Sequence, residues 1–354
     1  MKVKTSAVVL VVMSVILVFS GVLYFNIILP VLSYANSERE DINRASTVIE
    51  GDDNLLNFTT PEPEVTLEPG ATPMPAENSS NHKAPKIPES NINILLLGID
   101  QDGGHADTIC VLSINQEEKT MQFISIPRDS YVPYSEEICE AMKKEHLYKA
   151  HGAFKINFSL YLGRAVIHYE GGNFENSGIN FMASIIENML GYRIDEYVEV
   201  DFDGLVSLVD TFGGFDITVA ENMYNDSGNL VLAEGVQHVN GTEALFYARA
   251  RYRWNDKGQM LDSPGDPYRK EHQLKMMSEM ASQMITVDNV MNAKNIMDSL
   301  SNAVYHSFSV EDITAYAPIA LAYARGEYKM ETILVEGPQI DPMNDGVCYY
   351  KIFD

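Results

Sequence analysis

Four of the ten arginines in this 354-residue chain, Arg249, Arg251, Arg253 and Arg269, fall between Asn240 and Gln273. The chain carries 50 acidic residues against 25 basic ones, a formal net charge of -25. Guanidinium groups clustered in so acidic a protein need a local explanation. Arginine offers a planar fork of donors that matches phosphate oxygens two at a time. If residues 249–253 are extended, three guanidinium groups share one face. If they are helical, Arg249 and Arg253 share a face and Arg251 points away. A solvated surface paired with Asp and Glu is the third reading. Spacing alone allows all three.

Three further groups stand where strands or helices should end. Asp100 follows one apolar run and Asp107 precedes the next. Two carboxylates so placed suit Mg²⁺, which takes one or two carboxylates plus phosphate oxygens and water. The plainer alternative is that Asp100 opens a turn. Arg128 and Asp129 follow Pro127, which ends sheet pairing, so Arg128 is presented at a rim with Asp129 to fix its fork. Asp266, Arg269, His272 and Gln273 lie at the start of a helical pattern. The last three share a face, near the positive helix end.

The elements that must hold these groups alternate between strand and helix. Residues 92–98 form a continuous apolar run ending in Gly98, as a buried central strand does. Residues 108–114 and 121–126 read as a hairpin joined by residues 115–119. Residues 179–190 read as an amphipathic helix stopped by Gly191. A strand follows at 197–201, a helix at 202–211, a turn at Gly213 and Gly214, and a strand at 215–219. Asn240 caps a helix over 242–248, and a Met-rich helix covers 268–285. Ser309 and Asp312 form a capping box before a helix over 313–325, and 329–335 is a late strand. The mixture is α/β, layered around one mixed sheet. No internal repeat is evident.

Residues 6–29 are almost wholly apolar, long enough to span a bilayer as a helix. Lys2 and Lys4 precede them and acidic residues follow. Residues 1–5 are therefore expected in the cytoplasm and the rest outside. Residues 30–90, with seven prolines from Pro61 to Pro88, read as an extracellular flexible linker, and 91–354 as the folded domain. The acidic balance excludes general nucleic-acid binding. Cys110, Cys139 and Cys348 show no metal-ligand spacing.

The runs NILLLGID, ADTI, SIPRDSYV, KIN, YVEVDFDGLVSLVDTFGGFDITV, VNGTEALFYARAR and GDPYRKEHQ together resemble the LytR-CpsA-Psr family of bacterial cell-wall enzymes. The resemblance covers residues 92–354. It implies an α/β/α sandwich with an apolar tunnel for a polyprenyl chain, anchored to the cell membrane by a single helix. It implies an Mg²⁺-dependent phosphotransferase that moves a glycopolymer from a polyprenyl-pyrophosphate carrier to peptidoglycan. By position, Asp100 and Asp107 resemble the metal ligands, and Arg128, Arg249, Arg251 and Arg269 the pyrophosphate clamp. Asp129 matches the orienting residue, and Asp266 is a candidate base. Two positions depart from the pattern. The loop before Asp107 reads Gly103-Gly104-His105-Ala106, without the usual arginine, and His272 stands where a second arginine is usual. His272 and Gln273 are therefore expected to complete the clamp, His272 as a cation favoured by a nearby pyrophosphate. The alternative is that His272 packs against Tyr268 or a neighbouring loop and never meets the ligand. A lipid binder without turnover and a pyrophosphate hydrolase are the alternative activities.

The clamp predicts that Arg251→Ala weakens polyprenyl-pyrophosphate binding by about 1.5–3 kcal/mol, the loss of one charge-assisted contact. Calorimetry on both proteins reads it, and equal affinities would remove Arg251 from the clamp.

Overall fold

The computed structural model describes residues 47–49, 55–57, 84–100, 104–292, 296, 299–300, 303–343 and 346–353. The expected membrane helix at 6–29 and cytoplasmic tail at 1–5 lie outside them. In chain order the strands are β1 (Thr47–Ile49), β2 (Ile92–Ile99), β3 (Ala106–Asn115), β4 (Thr120–Ile126), β5 (Ile167–Tyr169), β6 (Glu196–Val200) and β7 (Phe215–Val219). They continue with β8 (Met223–Tyr224), β9 (Leu230–Leu232), β10 (Gly235–Val239), β11 (Arg253–Trp254), β12 (Met260–Asp262), β13 (Val304–His306), β14 (Lys329–Leu334), β15 (Gln339–Ile340) and β16 (Tyr349–Tyr350). The helices are α1 (Glu136–Lys144), α2 (Ile156–Tyr161), α3 (Ser177–Leu190), α4 (Phe202–Thr211), α5 (Gly241–Arg249), α6 (Asp266–Met284), α7 (Val287–Met291) and α8 (Val310–Ala324).

One six-stranded sheet, in the order β13-β6-β2-β3-β4-β14, forms the middle layer. It is mixed: β2 runs antiparallel to β3 and parallel to β6, and β14 runs parallel to β4. Alternation along β2 explains the layers, because successive side chains leave a strand on opposite faces. Leu95, Leu97 and Ile99 join the core beneath α1, α2 and α3. Ile94 and Leu96 face the other way, towards α8 and α6 respectively. Both faces are apolar, so the strand reads as an unbroken run. A second core, from α4, β7, β10, α5 and α6, extends the latter side.

Local chemistry sets the elements near the site. Asn240 and Glu243 close a reciprocal capping box at the start of α5. Gly241 is required there: a Cβ would lie 2.4 Å from the Val206 carbonyl oxygen of α4. The Gly241 amide also donates to Asp210 Oδ1 at 2.8 Å, so α5 starts hard against α4. Gly265, at φ 74, caps α6 and donates its amide to the Arg251 carbonyl at 3.0 Å. This bond ties the arginine-bearing segment to the helix that carries Arg269.

The boundary expected at residue 91 is too late. β1 pairs in parallel with β5, and Leu55 is buried at 1% exposure in the main core. The Tyr192 hydroxyl donates to the Pro85 carbonyl at 2.7 Å, and Ala84 and Ile87 pack on that core. Parts of the supposed 30–90 linker therefore belong to the fold. One short internal pair does occur, contrary to the expectation of no repeat: the hairpins β8–β9 and β11–β12 share one turn pattern, YNDSGN and WNDKGQ. The three cysteines are free thiols, Cys110 buried and Cys348 exposed.

Leu55→Ala should lower stability by about 2–5 kcal/mol, the usual range for emptying a buried leucine site. Denaturant unfolding measures it. A loss no larger than that of a surface substitution would detach residues 55–57 from the domain.

Candidate functional site

A cavity of about 480 Å³ lies between the sheet and helices α4, α5 and α6. Its walls are apolar: Leu96 and Val198 from the sheet, Phe202 and Leu205 from α4, and Met277 and Met280 from α6. Asp107, Asp201, Arg249, Arg251 and Arg269 also line it, supplying its charged groups, and Gln273 adds a neutral amide. The amphipathic helix α3 packs in the opposite core. Helices α4 and α6 line the cavity because each turns an apolar stripe to the sheet.

The arginines divide by local structure. Arg249 ends α5 and sits over the Phe202 ring at 4.4 Å. Arg251 lies in the connection after the helix, so neither the extended nor the helical reading holds for all of 249–253. Arg253 starts β11, with Nε 2.9 Å from Glu221 Oε1 and Nη1 donating to Asp262 at 3.2 Å. It belongs to the hairpin, outside the main cavity.

Arg269 is almost fully buried, with 3% of its side chain exposed. Its Nη1 lies 3.9 Å from Asp107 Oδ2, and Arg128 donates to Asp107 Oδ1. Asp107 thus joins the end of the β-sheet to the first turn of α6. Asp129 Oδ1 stands 3.7 Å from Arg128 Nε and 3.1 Å from Lys155 Nζ, so its closer cation is Lys155. Neither Arg128 nor Asp129 lines the cavity; both stand behind Asp107. Lys155 went unassigned from sequence, although the KIN run contains it. Its signal is spatial, a cation brought to Asp129 by the start of α2.

Asp100 is held by its own loop. Its Oδ1 accepts the Gly104 amide at 3.0 Å and the His105 amide at 3.2 Å, and His105 Nδ1 lies 3.2 Å from Oδ2. This is the turn-opening alternative, and it leaves Asp100 off the cavity wall. Carboxylate oxygens keep spare lone pairs beside such bonds. The Gly98–Thr108 pair places Asp100 and Asp107 at the same end of neighbouring strands. Hard oxygen donors so placed fit Mg²⁺. Among the described residues no three His, Cys, Asp or Glu gather to hold a metal by themselves, so phosphate oxygens and water would complete its shell. Asp266 is the first residue of α6; its side chain is outside the described part.

The clamp role expected of His272 is not what the structure shows. Its ring stacks on Tyr247 at 4.1 Å and 22°, and meets Tyr268 at 4.1 Å. Its Nδ1 donates to the Tyr247 carbonyl at 3.2 Å, and it does not line the cavity. Burial lowers its pKa from the usual 6.5 to about 4, so it is a neutral packing residue at neutral pH. Gln273, one residue on, does reach the cavity while donating to the Ala248 carbonyl at 3.3 Å.

The sequence profile of the LytR_cpsA_psr family matches residues 68–353. The chain belongs to this family. Among LytR-CpsA-Psr relatives, the polyisoprenyl-teichoic acid–peptidoglycan teichoic acid transferase TagV of Bacillus subtilis is 25% identical over 269 residues, 73% of this chain and 60% of TagV. The chain thus spans less than two thirds of that relative. The transferase of the same description, TagU, of Enterococcus faecalis is 26% identical over 266 residues, 73% of this chain and 74% of TagU. The crystal structure of B. subtilis TagV superposes with a TM-score of 0.55 at 23% identity, covering 76% of this chain and 92% of that one. It shares the LytR-CpsA-Psr fold, a mixed central sheet flanked by helices.

The buried neutral imidazole has a measurable consequence. The unfolded chain binds more protons than the folded one between pH 6.5 and about 4, so stability falls as pH drops through that window. His272→Gln removes this contribution and keeps a neutral donor. The melting temperature of the parent should therefore fall more steeply than that of the variant as pH goes from 6.5 to about 4. Parallel curves would mean that His272 is not held neutral.

Proposed function

We propose that the chain is a membrane-anchored phosphotransferase that moves a glycopolymer from a polyprenyl-pyrophosphate carrier to peptidoglycan outside the cell. The carrying observation is one cavity with apolar walls and arginines at its polar part. An isoprenoid chain fits the first and a pyrophosphate the second. The names of TagV and TagU, transferases of teichoic acid to peptidoglycan, support the reaction class.

In this reading the chain lies between the sheet and α6. Arg249, Arg251 and Arg269 contact the pyrophosphate and neutralise charge as the bond to the leaving phosphate lengthens. Phosphoryl transfer depends chiefly on such positioning and charge stabilisation. Asp107, itself paired with Arg128, holds Arg269 in place through an ion pair. Asp266 accepts the proton of the incoming sugar hydroxyl. That oxygen bonds to the sugar-linked phosphorus, and polyprenyl phosphate leaves. Mg²⁺ held by Asp100 and Asp107 would supply further charge neutralisation at the phosphate oxygens. One observation favours the binder alternative: the Asp100 carboxylate is already used by its own loop.

The test supplies a polyprenyl-pyrophosphate-linked labelled polymer and a soluble peptidoglycan oligomer to the full-length protein. Labelled oligomer should form with Mg²⁺ and diminish with chelator. Asp107→Asn should lower the rate by about 10²–10³, as loss of a charge-positioning group does, while lipid stays bound. Lipid bound without product would favour the binder, and no lipid bound would overturn both readings.

A further inference from the structure

Beside the apolar cavity lies a second cleft of about 580 Å³. Small-molecule sites generally occupy about 300–1,000 Å³. The two share Leu245, Arg249, Arg251 and Tyr252, so one arginine wall separates and serves both.

The cleft is built by the twin hairpins. In β8–β9, Asn225 Oδ1 accepts the amides of Ser227 at 3.0 Å and Asn229 at 2.9 Å. In β11–β12, Asn255 Oδ1 accepts those of Lys257 at 2.9 Å and Gln259 at 3.0 Å. Gly228 and Gly258 both have positive φ, 80° and 68°. The tips meet there: a Cβ on Gly228 would lie 2.7 Å from the Gly258 nitrogen. Matched turns put an aromatic residue just before each Asn, Tyr224 in one hairpin and Trp254 in the other. Both line the cleft. Tyr252 stands edge-on to Trp254 at 6.2 Å and is 48% exposed. Glu221 and Asp226 add acceptors, and Glu221 is fixed by Arg253 at 2.9 Å and the Tyr268 hydroxyl at 3.1 Å.

Aromatic faces beside fixed polar groups suit a ligand with an apolar face and a hydroxyl rim. A pyranose ring has both. A lipid chain would strand the carboxylates and guanidinium groups against hydrocarbon. We propose that this cleft is a saccharide-binding site, seating a sugar ring against Tyr224 and Trp254 next to the arginine wall. This rests on the proposed function for the pyrophosphate neighbour. The sugar has two possible sources, the carrier-linked polymer or the peptidoglycan acceptor.

Trp254 is the sole tryptophan of the chain, so fluorescence excited selectively at tryptophan reports on this cleft alone. Full-length protein in detergent is titrated with geranyl diphosphate, with geranyl-diphosphate-linked N-acetylglucosamine, and with the free disaccharide of N-acetylglucosamine and N-acetylmuramic acid. Calorimetry reads affinity in parallel. A carrier-side site makes the sugar-linked lipid bind about tenfold tighter than geranyl diphosphate and shifts Trp254 emission. An acceptor-side site gives the shift with the disaccharide instead. In either case Tyr224→Ala should remove the sugar-dependent gain and leave geranyl diphosphate affinity within about twofold, which also shows the variant folded. Unmoved Trp254 emission with both sugars, while geranyl diphosphate binds, overturns the saccharide site and spares the proposed function. Failure of geranyl diphosphate to bind overturns that function, and the disaccharide arm then decides the cleft by itself.

Discussion

The site depends on one partly buried ion network, Arg128–Asp107–Arg269. A guanidinium with 3% of its side chain exposed is expensive to desolvate unless an anion meets it. Asp107 is that anion, and it stands on the sheet while Arg269 stands on α6. Arg128 and the Asp129–Lys155 pair brace it from the β4 side. Removing Asp107 would leave two like charges facing each other at the mouth of an apolar cavity. The network therefore links α6 to the sheet beside the cavity. The same cations remain the natural partners of a phosphate. Structure and binding draw on one set of charges.

Much of the fold was legible because it depends on local pattern. The unbroken apolar run of β2, the Asn240 capping box, the Gly191 stop after α3 and the Ser309–Asp312 box all act within a few residues. Strand β7 matches its expected bounds for the same reason. What failed was non-local. β1 is a three-residue strand that is stable only because β5 offers an edge. Leu55 is an isolated apolar residue in a polar stretch, and nothing nearby announces its burial.

The site was legible in its charges and less so in their division of labour. Arg249, Arg251 and Arg269 converge on one cavity, an outcome that spacing alone left open. Arg253 leaves the group because Glu221, 32 positions earlier in the chain, reaches it through a hairpin. His272 is harder. Helical spacing puts it on the face of Arg269, but a helix face is broad, and Tyr247 and Tyr268 close around the ring. Aromatic packing decides its protonation state, and that packing comes from a different helix.

The overall charge and the local site act in opposite directions, and the balance has a physical meaning. A net charge of -25 repels anions at long range, but repulsion between exposed charges is screened beyond about 10 Å at 0.1 M salt. Within the cavity, arginines backed by low-dielectric walls attract phosphate much more strongly than they would in water. An anionic ligand therefore gains little from bulk attraction and depends on its apolar chain to reach the arginines. Walls of Leu96, Phe202, Met277 and Met280 supply that second contribution. Free pyrophosphate, lacking a chain, meets the repulsion with only the charged contacts to offset it. In the proposed function, the pairing of an apolar wall with arginines would favour amphiphiles, a discrimination that neither half would achieve separately.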